Sequence, residues 1–333
     1  MNCYFCGVEL TAANNSPEHI IQKAIGGAIV GWELLCRSCN SGPASRIDKD
    51  FVRFTSYLYR MVLQAKPTSR VSDSLMGITE SGEEVRFGPD MVMDTKVEIA
   101  LPDGQKLAFT APPDEAEKKA FKRLSQFQGK FSQLDPKRMI ANAQRGKIKL
   151  DELIYFTNHN AKQSKVGGPE FFRGIKKIAV NFYLSKKHPQ SYIQDIINQV
   201  KEGKPARRVI STFHYPMSHT IHELGEKEIS HVMKLVGDPD LGVLYFYIEL
   251  FNTSHSLILL DRYYYGPAID EQYCYDVLIG VEIEKPIRLL FENRLLMLRS
   301  FDHEWNTNPQ AEAAYRRTRK VLEDSLRVKG LIV

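Results

Sequence analysis

At 333 residues with 43% hydrophobic content, the chain is long enough to bury one large core or two smaller ones, which excludes a largely disordered protein. It has no run of about 18 apolar residues, and Met1-Asn2-Cys3-Tyr4 opens neither a basic nor an apolar leader, so the expectation is a soluble, cytoplasmic protein with no membrane partner. The 45 Lys and Arg against 40 Asp and Glu leave a net charge of +5, which permits a polyanionic partner without demanding one.

The chain begins with a Cys-x2-Cys pair, Cys3 and Cys6, and a second pair follows at Cys36 and Cys39, while Cys274 stands apart. In a reducing compartment, paired thiols at this spacing read as four thiolates around a tetrahedral Zn²⁺ rather than as disulfides. The 29 residues between Cys6 and Cys36 exceed the roughly 15–20 of a common zinc ribbon, so the two knuckles must hold an insert. That insert contains Pro17-Glu18-His19-Ile20-Ile21-Gln22-Lys23-Ala24-Ile25-Gly26-Gly27, and Asn40 comes directly after the second knuckle.

Asn40-Ser41-Gly42-Pro43 reads as the start of a helix, with Asn or Ser as cap and Pro in the first turn. Ile47, Phe51, Phe54, Leu58, Met61 and Val62 then recur at helical spacing, and Pro67 ends the pattern. Residues 68–110 alternate short β-type runs, 84–87 and 97–100 among them, with Gly, Pro and Asp turns, which predicts a small sheet. Pro112-Pro113 opens a charged, helical stretch to about residue 149. Ten cations (Lys118, Lys119, Lys122, Arg123, Lys130, Lys137, Arg138, Arg145, Lys147 and Lys149) outnumber four acids there, interleaved with Phe121, Phe127 and Phe131. Such a stretch is either a solvated helix with one buried face or a track for a phosphate backbone.

Further on, residues 171–186 and 191–201 are expected to be helices, 243–251 and 256–265 paired strands, and 311–327 a terminal helix. His214, His219, His222 and His231 lie close in sequence, but no cysteine or carboxylate accompanies them at a familiar metal spacing. Tyr263, Tyr264 and Tyr265 read as a packed sheet edge, although exposed tyrosines also stack on bases. The fold expected is α+β, with a zinc-braced module over residues 1–66 followed by a larger mixed α+β domain over 67–333.

The order Cys-x2-Cys, Glu-His, Gly-Gly, Cys-x2-Cys-Asn resembles the HNH endonucleases, in particular the group whose ββα-metal fold is braced by a four-cysteine zinc. The resemblance covers about residues 3 to 51. Carried over residue by residue, it makes His19 the general base that activates water, Glu18 and Asn40 the ligands of a catalytic Mg²⁺ or Mn²⁺, and the zinc on Cys3, Cys6, Cys36 and Cys39 structural. Asp48, eight residues after Asn40, matches an Asp frequent in related sequences and is a candidate third oxygen ligand or a supporting group. The pattern departs from the family at three points. Gly31-Trp32-Glu33-Leu34-Leu35 holds no Asn where the middle Asn orients the base, Asn40 replaces the final His, and Gln22 stands where a Pro is common.

The chemistry suits those residue types. Phosphodiester hydrolysis needs an activated water, neutralised phosphoryl oxygens and a stabilised leaving alkoxide, and a neutral imidazole beside a hard cation on oxygen ligands supplies all three. Successive side chains of a regular strand point to opposite faces, so Glu18 and His19 can serve one phosphate only from a distorted hairpin arm. The resemblance implies a DNA endonuclease. The large second domain suggests substrate grip, homo-oligomerisation or control by a regulatory partner, as in bacterial defence effectors. The alternative is a non-catalytic zinc module that binds nucleic acid or protein, with Glu18 paired to Lys23 or Arg37 and Asn40 merely capping a helix.

Overall fold

A computed structural model describes residues 1–65, 75–78, 84–87, 94–127, 135–146, 168–203, 209–212, 220–289, 291–301 and 309–328. In chain order these form β1 (Asn15–His19), β2 (Val30–Cys36), α1 (Arg37–Cys39), α2 (Ser45–Ala65), β3 (Leu75–Ile78), β4 (Glu84–Phe87), β5 (Thr95–Ala100), β6 (Lys106–Ala111), α3 (Ala116–Ser125), α4 (Pro136–Ala141), β7 (Gln144–Gly146), α5 (Pro169–Ser185), α6 (Gln194–Glu202), β8 (Ile210–Thr212), β9 (Ser230–Asp238), β10 (Val243–Leu250), β11 (Ser254–Asp261), β12 (Ile269–Asp276), β13 (Val281–Glu282), α7 (Arg294–Arg299) and α8 (Pro309–Val328). The chain is thus a mixed helix and strand fold, with a short N-terminal hairpin and helix followed by a larger region of sheet and helices.

The chain groups into two compact units, Met1–Lys66 with Ser164–Arg327, and Pro67–Gln163 with Val328–Val333. The division expected was a module over 1–66 and one domain over 67–333. Residues 164–327, however, return to the N-terminal module instead of forming a domain with 67–163. The physical reason is a shared core: Cys3, Tyr4, Ile20, Leu35 and Phe51 belong to the same buried cluster as Ile175, Phe182, Phe246 and Leu322.

In the first unit, β9–β12 make the body of a six-stranded antiparallel sheet of order β13-β12-β9-β10-β11-β8. Every residue of β10 is buried, because both faces of the sheet are covered. Leu244, Phe246 and Ile248 face the core shared with the N-terminal module, whereas Val243, Tyr245 and Tyr247 face a second cluster with Leu257, Leu289 and Met297. The alternation is the period of two of a pleated strand. Phe251 and Asn252 turn the β10–β11 hairpin with φ of 56° and 55°, and the Asn252 side chain braces that left-handed turn by donating to Ser230 Oγ and Glu249.

Helix α5 begins with Pro169 in its first turn and buries nearly every residue from Gly174 to Tyr183, so it runs through the interior and has no solvent stripe. Gly174 lets it approach α2 closely: a Cβ there would lie 2.4 Å from Phe51 Cγ. Of the stripe expected on α2, Ile47, Phe51 and Val62 are buried. The side chains of Phe54, Leu58 and Met61 lie outside the described residues. The helix does not start at Asn40 as expected, since α1 begins at Arg37 and a π turn over Asn40–Ala44 leads into α2. Pro43, inside that turn, has no N–H to continue an α ladder.

In the second unit, β6-β5-β7 form a three-stranded sheet and β3-β4 a hairpin, in the region where a small sheet was expected and extending beyond it. The expected helix to residue 149 is broken. Asp135 caps α4, and Gln144–Gly146 pairs with β5 instead of remaining helical. Ala116, Ala120 and Leu124 pack α3 onto Val97, Ile99 and Phe109, while Lys118 and Lys122 are exposed. Lys130, Phe131, Lys147 and Lys149 lie outside the described residues. No described helix is long and apolar enough to cross a membrane.

Candidate metal and active site

The first knuckle is a tight turn closed by Gly7 N–H to the Cys3 carbonyl at 2.8 Å, with Gly7 at φ 80°. The second spans the end of β2 and the short helix α1, so Cys36 and Cys39 stand one helical turn apart. All four Sγ atoms of Cys3, Cys6, Cys36 and Cys39 lie within 4.8 Å of one another, and Cys6 Sγ is 3.7 Å from Cys36 Sγ. Four thiolates at about 2.3 Å from a tetrahedral zinc stand about 3.8 Å apart, so the cluster fits a zinc site. Burial would raise the Cys36 thiol, but hydrogen bonding with Ser38 and Cys39 draws it down to about 6, while burial pushes Cys3 up. Among the described residues no other group of three or more His, Cys, Asp and Glu side chains gathers this closely.

The insert between the knuckles is the β1–β2 hairpin, whose pairing shifts between Ser16 and Glu18: Ser16 faces Leu35, Glu18 faces Gly31, and Glu33 takes φ 61° on the opposite strand. Pro17 sits at this irregularity, where its missing N–H costs no ladder bond. Beyond it, Glu18 is buried at 3% exposure while His19 is half-buried. Gly26 ends the following turn at φ 89°, where an added Cβ would lie 2.5 Å from Val277 Cγ1.

Glu18, His19, Asn40 and Asp48 line one open cleft of about 320 Å³, together with Lys23 and Lys49. The Asn40 side chain does not cap the following helix; its backbone N–H closes α1 on the Arg37 carbonyl. Its Nδ2 donates to Ser16 Oγ at 3.0 Å and to the Pro17 carbonyl at 2.9 Å. A carbonyl only accepts, which fixes the amide orientation and leaves Oδ1 without a hydrogen bond from the described residues. Glu18 does not pair with Lys23 or Arg37 either. Its Oε1 accepts from Lys177 Nζ and, at 3.0 Å, from Asn181 Nδ2, both on α5, and Oε2 takes no hydrogen bond from the described residues. Burial pushes the Glu18 carboxyl up and Lys177 draws it back, leaving it above its ordinary value.

Asp48 gives both oxygens to Lys177, at 2.8 and 2.9 Å, and its Oδ1 also accepts from Gln22 Nε2 at 2.7 Å. Tyr4 closes the set from below, donating to Asn181 Oδ1 at 2.8 Å. Burial and the positive charge of Lys23 hold His19 below its ordinary value, which keeps its ring neutral at neutral pH. No hydrogen bond from the described residues orients that ring, in keeping with the missing middle Asn.

Lys177, Asn181 and Tyr4 are absent from the residues singled out by sequence. Lys176-Lys177 within an otherwise apolar helical run was the one available signal, because a lysine there needs a buried partner. Of the other histidines, His222 contacts Glu249 and His231 donates to the Ile25 carbonyl at 2.9 Å. His214 and His219 lie outside the described residues. Tyr264 is buried, with Tyr263 and Tyr265 exposed beyond the end of β11.

A hairpin and helix clasped by a four-cysteine cluster, with a Glu-His pair on one arm and an Asn in the turn that leads into the helix, define an HNH-like module. Residues 3–55 match the family described as HNH endonuclease. No curated protein and no solved structure matches the chain.

Proposed function

We propose that the protein is a metal-dependent endonuclease that hydrolyses phosphodiester bonds of DNA, with His19 as general base. The observation that carries this reading is that Glu18 is pinned through Oε1 and Asn40 through Nδ2, which leaves Oε2 and Oδ1 without a hydrogen bond from the described residues, in the two residues that line the cleft with His19. Two hard oxygens with room for water suit Mg²⁺ or Mn²⁺, which keep several waters and take one or two protein ligands. When bound, such a cation neutralises the phosphoryl oxygens and stabilises the leaving alkoxide.

His19 takes the proton of the attacking water through a ring nitrogen as the new P–O bond forms, and the bond from phosphorus to the leaving deoxyribose oxygen breaks. Lys23 and Lys49, on the rim of the same cleft, present cations to the phosphates on either side. The cysteine cluster holds the knuckles and so fixes the hairpin arm against the helix.

The decisive experiment incubates the purified protein with supercoiled plasmid and linear duplex in Mg²⁺, Mn²⁺ or EDTA, alongside His19→Ala. Expected are metal-dependent cutting by the wild type, a loss of at least about 100-fold in the variant, and unchanged zinc content and melting in both. Undiminished cutting by His19→Ala would sink the assignment of the base, and no cutting of any nucleic acid by the wild type would favour a non-catalytic zinc module.

A further inference from the structure

Helix α5 carries an ammonium in the middle of an apolar segment. Lys177 is fully buried, between residues as apolar as Ile175 and Ile178, and a charge in that setting is costly unless opposite charges meet it. Two carboxylates do, Glu18 and Asp48. A need for packing alone is better met by an apolar side chain, since exchanging a buried ion pair for one is often neutral or stabilising. The arrangement also divides the oxygens unevenly. Both Asp48 oxygens face the lysine, whereas Glu18 meets it, and Asn181, through Oε1 alone.

We propose that Lys177 is a positioning residue of the divalent-cation site, which holds Glu18 by Oε1 so that only Oε2 is offered to the cation, and which withholds Asp48 from coordination. The inference rests on the nuclease reading above. Two carboxylates and one ammonium leave a single net negative charge beside the cleft. Without the ammonium, two uncompensated negative charges stand beside the cleft and Asp48 Oδ2 loses its hydrogen bond, while Glu18 Oε1 keeps Asn181 and Asp48 Oδ1 keeps Gln22, so a cation binds more tightly but in several geometries. Lys177 therefore gives up cation affinity for one productive arrangement, and it does so from α5, which the N-terminal module does not itself contain. Asp48 is then the anchor of Lys177 rather than a third ligand.

The test uses zinc-loaded full-length protein and three variants, Lys177→Met, Asp48→Asn and the double variant, with Mn²⁺ binding read by the electron paramagnetic resonance of the free ion and cleavage measured at saturating Mn²⁺. Lys177→Met is expected to bind Mn²⁺ on the order of tenfold more tightly and yet to cut at least about tenfold more slowly. Asp48→Asn, which leaves the ammonium with one carboxylate, is expected to bind on the order of tenfold more weakly. The double variant restores the charge without the hold on Glu18, so its affinity returns near wild type while its rate stays low. Wild-type cutting by Lys177→Met, or weaker Mn²⁺ binding by it, overturns the inference and leaves the nuclease reading standing. Should Lys177→Met fail to fold, Asp48→Asn and the double variant decide, because wild-type affinity in Asp48→Asn is equally fatal. A wild type that neither binds Mn²⁺ nor cuts overturns both readings.

Discussion

Asn40 shows how one side chain links two elements. Its nitrogen ties the start of the helical segment to Ser16 and Pro17 of β1, and its oxygen is left toward the cleft. Asn40→Ala removes both, so two effects are expected together: a loss of about 1–2 kcal/mol in stability from two hydrogen bonds, and a rise in the metal concentration that supports half-maximal cutting. Chemical denaturation and a metal titration of the rate check the two separately, and an unchanged titration contradicts the ligand role. The resemblance to the HNH pattern singled out Glu18, His19 and Asn40, and the structure brings all three to one cleft. Lys177 was not legible in the sequence. It lies 159 residues from Glu18, and nothing local tells a helix lysine that meets a carboxylate from one that meets water.

At the level of elements, α5 and α2 are joined where Gly174 faces Phe51, whose ring also lies 5.4 Å from that of Phe171. Gly174 sits one turn before Lys177, so the fit at this crossing also sets where the ammonium stands. Gly174→Ala places a methyl 2.4 Å from the Phe51 ring, and overpacking of this kind costs about 1–3 kcal/mol. The variant is expected to melt at lower temperature and, while still folded, to cut more slowly with its zinc retained; a variant with full activity and wild-type melting would show the crossing to be slack. Periodicity predicted a helix over 171–186, and the structure has one at Pro169–Ser185. Its partner was not predictable, because a helix buried on all sides packs against several neighbours and names no single one. The helix expected to residue 149 failed for a different reason. Gln144–Gly146 is paired with Lys96–Glu98 of β5, far back in the chain, and such pairing overrides local propensity.

For the whole molecule, the sheet that supports α5 contains a buried ionic cluster whose state depends on pH. Tyr245, Tyr247 and Glu249 share one face of β10, and Glu249 is 1% exposed. Its Oε2 accepts from His222 Nε2 at 3.0 Å and from the Tyr247 hydroxyl at 2.9 Å, which in turn accepts from His255 Nδ1 at 2.8 Å, while Oε1 accepts from Asn252. Burial alone would raise this carboxyl, but the charges and hydrogen bonds of His255 and His222 hold it well below the ordinary range. A carboxylate held lower in the folded chain than in the unfolded one binds fewer protons when folded. Its contribution is therefore complete above the unfolded value of about 4.3 and is lost as pH falls toward the folded one. Because the same sheet and α5 share the core that holds the N-terminal module, zinc clasp and sheet are expected to melt together in acid. Glu249→Gln keeps the shape and removes the charge that His222, Tyr247 and Asn252 meet by hydrogen bonds, a loss on the order of 2 kcal/mol. Melting followed from pH 7 to pH 3.5 should fall steeply below about pH 4.3 in the wild type and less steeply in the variant, whose curve starts lower. Parallel curves would show that Glu249 titrates alike in both states, and the acid sensitivity would then belong to other carboxylates.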